Sequence, residues 1–408
     1  MTRNVLRAFA SRNYTLFFCG QGLSLIGSFI QSTAFSWILY RLTGSPVLLG
    51  HLSALMQLPV LLLLPFAGTL ADRFDRYRLL LITQTLFTVQ SMGLAALAFT
   101  GHLGLEAVVA MGFLQGIVTA LDGPPRLALI PRLVDDPGDL PAAISLNSAV
   151  FNAARSIGPP IAGFLMAEAS ESFCFLANGI SYFFVIGGLI LMRLPAEPAK
   201  DPRKKRGGLI DTLRYLKRHR ELSEVLMTSS SIALVTMSVY VLMPVWARDI
   251  LASGPRGLGY LMGGIGVGAL IGAVVVGSRT GKREFELLLR AGGVVVGGAL
   301  MLFSLTSTLY TCVPLCLILG FAFTSCMTSA NTLLQLQVDD DRRAGVMSVC
   351  LLSNYGSVPV GNFVGGTLAG LIGPHGTSLV GGTLVLVVAV VFLVRALGKR
   401  DGAAPSGS

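Results

Sequence analysis

Asp122 and Arg126 stand four residues apart in a run that is otherwise almost wholly apolar, from Ala107 to Leu129. A carboxylate and a guanidinium at that spacing share one helix face. They can form an ion pair, or the acid can take up and release a proton. Arg155 stands alone in the next apolar run, one turn before Gly158-Pro159-Pro160. It can bind the anionic part of a ligand, tune a neighbouring acid, or donate to the carbonyls that a proline pair frees. The string GTLADRFDRYRL (68–79) packs Asp72, Arg73, Asp75, Arg76 and Arg78 into twelve residues. Cations alone would serve as a topological signal, but the acids suit charged hydrogen bonds that form in one conformation and break in another. Amides in apolar runs (Gln21, Gln31, Asn147, Asn152, Asn331, Gln335 and Asn354) can bond a neighbouring helix or a ligand.

Other chemistry is excluded by what the chain lacks. Its four His (His51, His102, His219, His375) sit at the ends of apolar runs or between them, and no Ser-His-Asp set is in view. The six Cys lie within apolar runs without metal-type spacing and read as small packing residues. Gly264, Gly268 and Gly272 in GIGVGALIG fall at i, i+4 and i+8 with no strand before them, so they mark helix packing and not a nucleotide loop. No enzyme, metal site or cofactor is expected.

The elements that must position these groups follow from composition. The chain has 408 residues, 53% hydrophobic and only 13% charged, with mean hydropathy +0.71. Soluble domains carry about 25% charged residues, so this is a polytopic membrane protein. Spans are expected near 14–40, 47–71, 79–99, 104–125, 141–167 and 172–192, and near 225–247, 257–278, 285–306, 309–335, 344–372 and 376–396. They must be helices, because lipid offers the backbone no hydrogen-bond partner. The first run is too long for a signal-peptide core and has no cleavage site, so it counts as a span. The fold is therefore all-α, with twelve transmembrane helices. A six-helix bundle (1–193), a basic linker (194–223) and a second six-helix bundle (224–408) make up the chain.

Charge orients it. All 31 Lys and Arg except Arg41, Arg155, Arg248 and Arg256 fall on the side of the chain ends. By the positive-inside rule both termini are cytoplasmic. This also accounts for the net charge of +10 without nucleic acid. The cluster at 203–206 helps orientation and touches anionic lipid.

The halves repeat one another in register. Gly50 to Gly68 spans 18 residues, as does Gly259 to Gly277; Ser145 to Gly163 matches Ser348 to Gly366 in the same way. Two parallel six-helix repeats suggest rocking about a central cavity.

With these residues in hand, the chain resembles the major facilitator superfamily over almost its whole length. Gly68-x-Leu70-Ala71-Asp72-Arg73-x-x-Arg76 looks like that superfamily's motif between helices 2 and 3, with Asp75 in place of its second Gly. Arg155-Ser-Ile-Gly158-Pro159-Pro160-Ile-Ala-Gly163 looks like the helix-5 motif of antiporters, with Ala154 where Gly is usual. The stretches 36–46, 121–134 and 144–163 are most similar to the bacterial multidrug and siderophore efflux branch, which includes the enterobactin exporter and macrolide efflux pumps. The resemblance implies a monomeric exporter of amphipathic small molecules in the inner membrane, driven by proton exchange. It implies gating by Gly68, Asp72, Arg73 and Arg76, with Asp122 and Arg126 as their partners, and by Gly158, Pro159 and Gly163. Many proton-coupled relatives carry Arg-x-x-Gln-Gly in helix 4. Here that run is Gly112-Phe113-Leu114-Gln115-Gly116, so no Arg relay is carried over.

Overall fold

The computed structural model describes residues 6–73, 75–193, 209–339 and 342–401. The first half contains α1 (Arg12–Thr43), α2 (Pro46–Arg73), α3 (Arg76–Phe99), α4 (Leu105–Leu129), α5 (Leu140–Glu168) and α6 (Glu171–Leu191). A ten-residue helix, α7 (Leu209–Arg218), precedes the second half. There α8 (Arg220–Tyr240) runs on through a short turn at Met243–Val245 into a π-helical turn at Trp246–Ile250. It is followed by α9 (Gly254–Gly277), α10 (Lys282–Ser304) and α11 (Leu309–Gln337).

The last stretch is helical from Arg343 to Asp401, 59 residues, and is broken at Gly373. Unbroken it would be about 90 Å long, three times a hydrocarbon core. Gly373 adopts φ 74 and ψ 168, a conformation that a side chain would strain. Pro374 follows and cannot continue the ladder. The result is α12 (343–372) and α13 (374–401).

Among the described residues, ten helices are long and apolar enough to cross a membrane, the broken one counted once. Splitting it adds another crossing. The twelfth is α5, 29 residues long, whose Arg155, Asn147 and Asn152 dilute its hydropathy. The expected spans thus match the helices, with ends displaced by a few residues.

Packing groups the helices in two bundles. In the first, α1 lies against α5 and α6, α3 against α4 and α6, and α2 against α4. In the second, α9 and α10 lie against α11, and the α12–α13 stretch lies against α8 and α10. The bundles meet where α5 crosses α9 and where α2 crosses α12. The expected linker is helical in its final part. Leu216 of α7 is buried with Leu334, Val338, Val346 and Val349, which pins α7 to the second bundle. The basic cluster at 203–206 lies outside the described residues.

An even number of crossings puts both chain ends on one face, called terminal here, and the opposite face distal. Gly44 at φ 60 closes α1 on the distal face and lets α2 begin two residues later.

Candidate functional site

Asp122 is 5% exposed and fully engaged. Thr83 and Gln84 of α3 each donate to its Oδ1 at 2.7 Å. Arg126 donates from Nε to Oδ2 at 2.8 Å and adds its Nη2 to the same oxygen. Two bonds to each carboxylate oxygen leave little room for another donor. The acid therefore ties α4 to α3 within the first bundle, with Arg126 as its ion-pair partner. Asp75 caps α3, accepting from the backbone N–H of Arg78 at 2.8 Å. An acid at a helix start is favourable, which gives the departure from the superfamily's Gly a physical role. Arg76 opens the same helix. Gly68, Asp72 and Arg73 lie on the last turns of α2, where only the backbone is described, and Phe74 lies outside the described residues.

The amides are engaged in different ways. Gln31 is buried in a network: it donates to Gln90 of α3 at 3.1 Å and to Gln115 of α4 at 3.3 Å, and accepts from Asn178 of α6 at 3.0 Å. The same Gln115 remains from the run that lacks the Arg relay. Asn152 donates to its own helix at Ser148 O, and Asn331 accepts from Gln335. Gln21 and Asn354 each bury an amide oxygen without a partner among the described residues. Asn147 is half-buried.

The seam between the bundles is built on glycine. A Cβ on Gly366 of α12 would lie 2.7 Å from the Cα of Gly50 on α2. A Cβ on Gly163 of α5 would lie 2.7 Å from Pro255 O and 3.0 Å from the Cα of Gly259 on α9. Gly259 in turn faces Pro159 O at 2.8 Å. Gly50 is the repeat counterpart of Gly259, and Gly163 that of Gly366. The two crossings are therefore one contact used twice. Gly158 does not join them: a Cβ there would lie 2.5 Å from that of Phe29. It packs α5 against α1 inside the first bundle, because it is turned about 100° and 140° around the helix from Pro159 and Gly163. Gly264, Gly268 and Gly272 bring α9 against the backbone of α11 at Val313, Leu317 and Phe321.

Side chains rim the distal end of this seam. Arg256 pairs with Glu168, and Tyr40 donates to Asp249. The guanidinium of Arg248 lies 5.6 Å from the centre of the Tyr40 ring. His51 stacks on Phe363 at 4.2 Å and bonds the Thr367 hydroxyl at 2.9 Å. Toward the terminal face the seam splays. The α5 stripe buried at Ser156, Pro159 and Gly163 becomes half-buried at Asn152 and exposed at Ser148 and Ser145. The α12 stripe does the same, from buried Gly366 and Asn362 to exposed Tyr355 and Ser348.

Arg155 sits at the depth where the splay begins. Its side chain makes no hydrogen bond or ion pair with the described residues, including the carbonyls freed by Pro159 and Pro160. Its own carbonyl oxygen packs on Gly266 of α9. The side chain lines a narrow pocket with Thr236, Met237 and Tyr240 of α8, Met243 beyond it, and apolar residues of α9, α10 and α11.

A profile of transmembrane secretion effectors, within the major facilitator superfamily, matches residues 5–407. The chain belongs to this family. It is 26% identical to the staphyloferrin A transporter of Staphylococcus aureus over 92% of this chain and 94% of that protein. It is 25% identical to the multidrug efflux pump Tap of Mycolicibacterium fortuitum, over 90% of this chain and 92% of that one. Macrolide efflux protein A of Streptococcus pyogenes is 24% identical, with 95% and 97% covered. Among solved structures, a bacterial homolog of the human lysosomal transporter Spinster, inward-facing and unoccupied, superposes with a TM-score of 0.69 at 14% identity, covering 95% of each chain. A POT family transporter superposes at 0.73 with 13% identity over 94% of this chain and 96% of that one. These likenesses concern the fold. The family makes this chain a membrane transporter of the multidrug and siderophore branch, and not an enzyme.

Sequence reasoning about this secretion effector missed the distal rim. The signal was present: Arg41, Arg248 and Arg256 are the exceptions on a face otherwise free of cations. Each is committed, Arg41 to Glu171 at 3.2 Å within the first bundle and the other two to the seam. It also missed Gln90, Asn178 and Thr236, whose importance depends on which helices become neighbours.

Proposed function

We propose that this transporter is a secondary active exporter of amphipathic small molecules in the bacterial inner membrane, with both chain ends cytoplasmic, working by proton antiport and alternating access. The observation that carries the reading is the seam: repeat-related glycine crossings hold it shut distally, while the seam-facing stripes of α5 and α12 become exposed toward the terminal face. Rocking one bundle on the other exchanges which face is open. The terminal face is taken as cytoplasmic because nearly all the Lys and Arg lie there. In that orientation the structure is the state that loads substrate from inside. The named relatives, two efflux proteins and a siderophore transporter, support export of drugs or siderophores. The chain acts as a monomer without a cofactor, in contact with lipid, and the proton gradient supplies energy.

Whole-cell efflux of a lipophilic dye, measured in a host deleted for its own pumps, tests this. Expression should lower dye accumulation, and an ionophore that collapses the proton gradient should abolish the difference. Unchanged efflux after collapse would sink the antiport part. Increased accumulation on expression would instead mark uptake.

A further inference from the structure

We infer that Arg155 and Thr236 form a subsite for the carboxylate of an amphipathic ligand, contributed jointly by the two bundles; this rests on the transporter reading. A guanidinium at mid-membrane depth is costly unless it is paired or hydrated. Arg155 has no counterion among the described residues. Asp122 is occupied by Arg126, Thr83 and Gln84, while Glu168 and Asp249 are occupied at the distal rim.

Thr236 supplies the second, independent observation. Helical threonines elsewhere in this chain, such as Thr228 and Thr332, donate back to the carbonyl four residues earlier. Thr236 does not: its hydroxyl oxygen is buried without a partner among the described residues, in the same pocket as Arg155. A buried unbonded hydroxyl is unfavourable unless something fills the site. Tyr240, one turn further along α8, lines the pocket too.

One guanidinium and flanking hydroxyls match a single planar carboxylate, which Arg can bind through two parallel N–H donors. A phosphate dianion would call for more positive charge than the pocket holds. The remaining wall, with Met237, Met243, Leu319 and Phe323, is apolar and partly deformable. It suits a hydrophobic body attached to that carboxylate. Because Arg155 belongs to α5 and Thr236 to α8, the ligand's head would bridge the bundles and neutralise the cation before the terminal face closes over it.

The test uses full-length protein in lipid nanodiscs and three probes with one aromatic body: 1-pyrenebutyrate, 1-pyrenebutanol and 1-pyrenebutylamine. Binding is read as energy transfer from the protein's tryptophans to pyrene. Pyrenebutyrate should bind saturably and about tenfold more tightly than the alcohol, the scale of one charged hydrogen-bonded contact. Arg155→Gln should erase the preference, and Arg155→Lys should keep part of it. Thr236→Val should narrow it several-fold, and it decides the matter if Arg155→Gln does not fold. Equal affinities, a preference for the amine, or a full preference surviving in Thr236→Val or Arg155→Gln would overturn the subsite. Dye efflux in the absence of any carboxylate preference would leave the exporter reading standing and remove only this inference. A carboxylate preference without efflux would do the reverse.

Discussion

Asp122 and Arg126 form the best-connected charged pair in the described spans, and their geometry argues for structure over proton carriage. Their side chains are 8% and 20% exposed, so removing one partner leaves the other charge poorly solvated. Breaking a buried pair costs about 3–5 kcal/mol when one side is deleted. Asp122→Asn and Arg126→Gln should each lower the thermal unfolding midpoint in detergent, and the double variant should lose less than the sum of the two. A double-mutant cycle giving a coupling below about 0.5 kcal/mol would show that the pair contributes little. The two ionisable residues were legible in the sequence, because charge in an apolar run stands out. Their neighbours Thr83 and Gln84 were not, since ordinary polar residues gain meaning only when α3 and α4 pack together. The same holds for Gln90 and Asn178, which complete the network around Gln31.

At the scale of the elements, helix count, lengths and the break before α13 were readable from hydropathy and glycine placement. The repeat spacing went further. It pairs Gly50 with Gly259 and Gly163 with Gly366, and the structure joins these four residues in two crossings. What spacing could not give is which helix meets which: Gly158, grouped with Pro159 and Gly163 for gating, parts from them and lies against α1. The crossings are tight enough to predict an outcome. Gly366→Val inserts a side chain against the Gly50 backbone, and overpacking of this kind costs about 1–3 kcal/mol. That cost falls on the distally closed state, so the ratio of open to closed should rise by roughly 5- to 150-fold. Spin labels at Leu48→Cys and Leu371→Cys, on the distal ends of α2 and α12, would read it as a shift to longer distances. A distribution identical to that of the parent would show that the crossing does not hold the face shut. Leu48 and Leu371 are 44% and 75% exposed, so the labels themselves displace little packing.

The whole molecule must populate two states of similar free energy, because a ligand shifts an equilibrium only by its differential affinity. Distal closure rests on the two glycine crossings together with the polar rim. The rim's contribution is modest: Arg256 and Glu168 are about half exposed, and such pairs are worth roughly 0–1 kcal/mol. Closure of the terminal face needs contacts of comparable size, and Asp72 of the 68–79 string is the expected source. Asp72→Asn should then weaken the terminally closed state, hold the transporter open at that face and slow efflux. Arg256→Gln weakens the opposite state by a similar amount. Combining them should restore part of the lost efflux, because the two changes act on opposite sides of one equilibrium. The distance between labels at 48 and 371 should follow, staying short in Asp72→Asn and returning toward the parent distribution in the double variant. Additive losses of efflux with no recovery would mean that Asp72 acts within one bundle and takes no part in the balance between faces. That outcome would leave the seam as described but would move the terminal closure to residues other than those of the charged string.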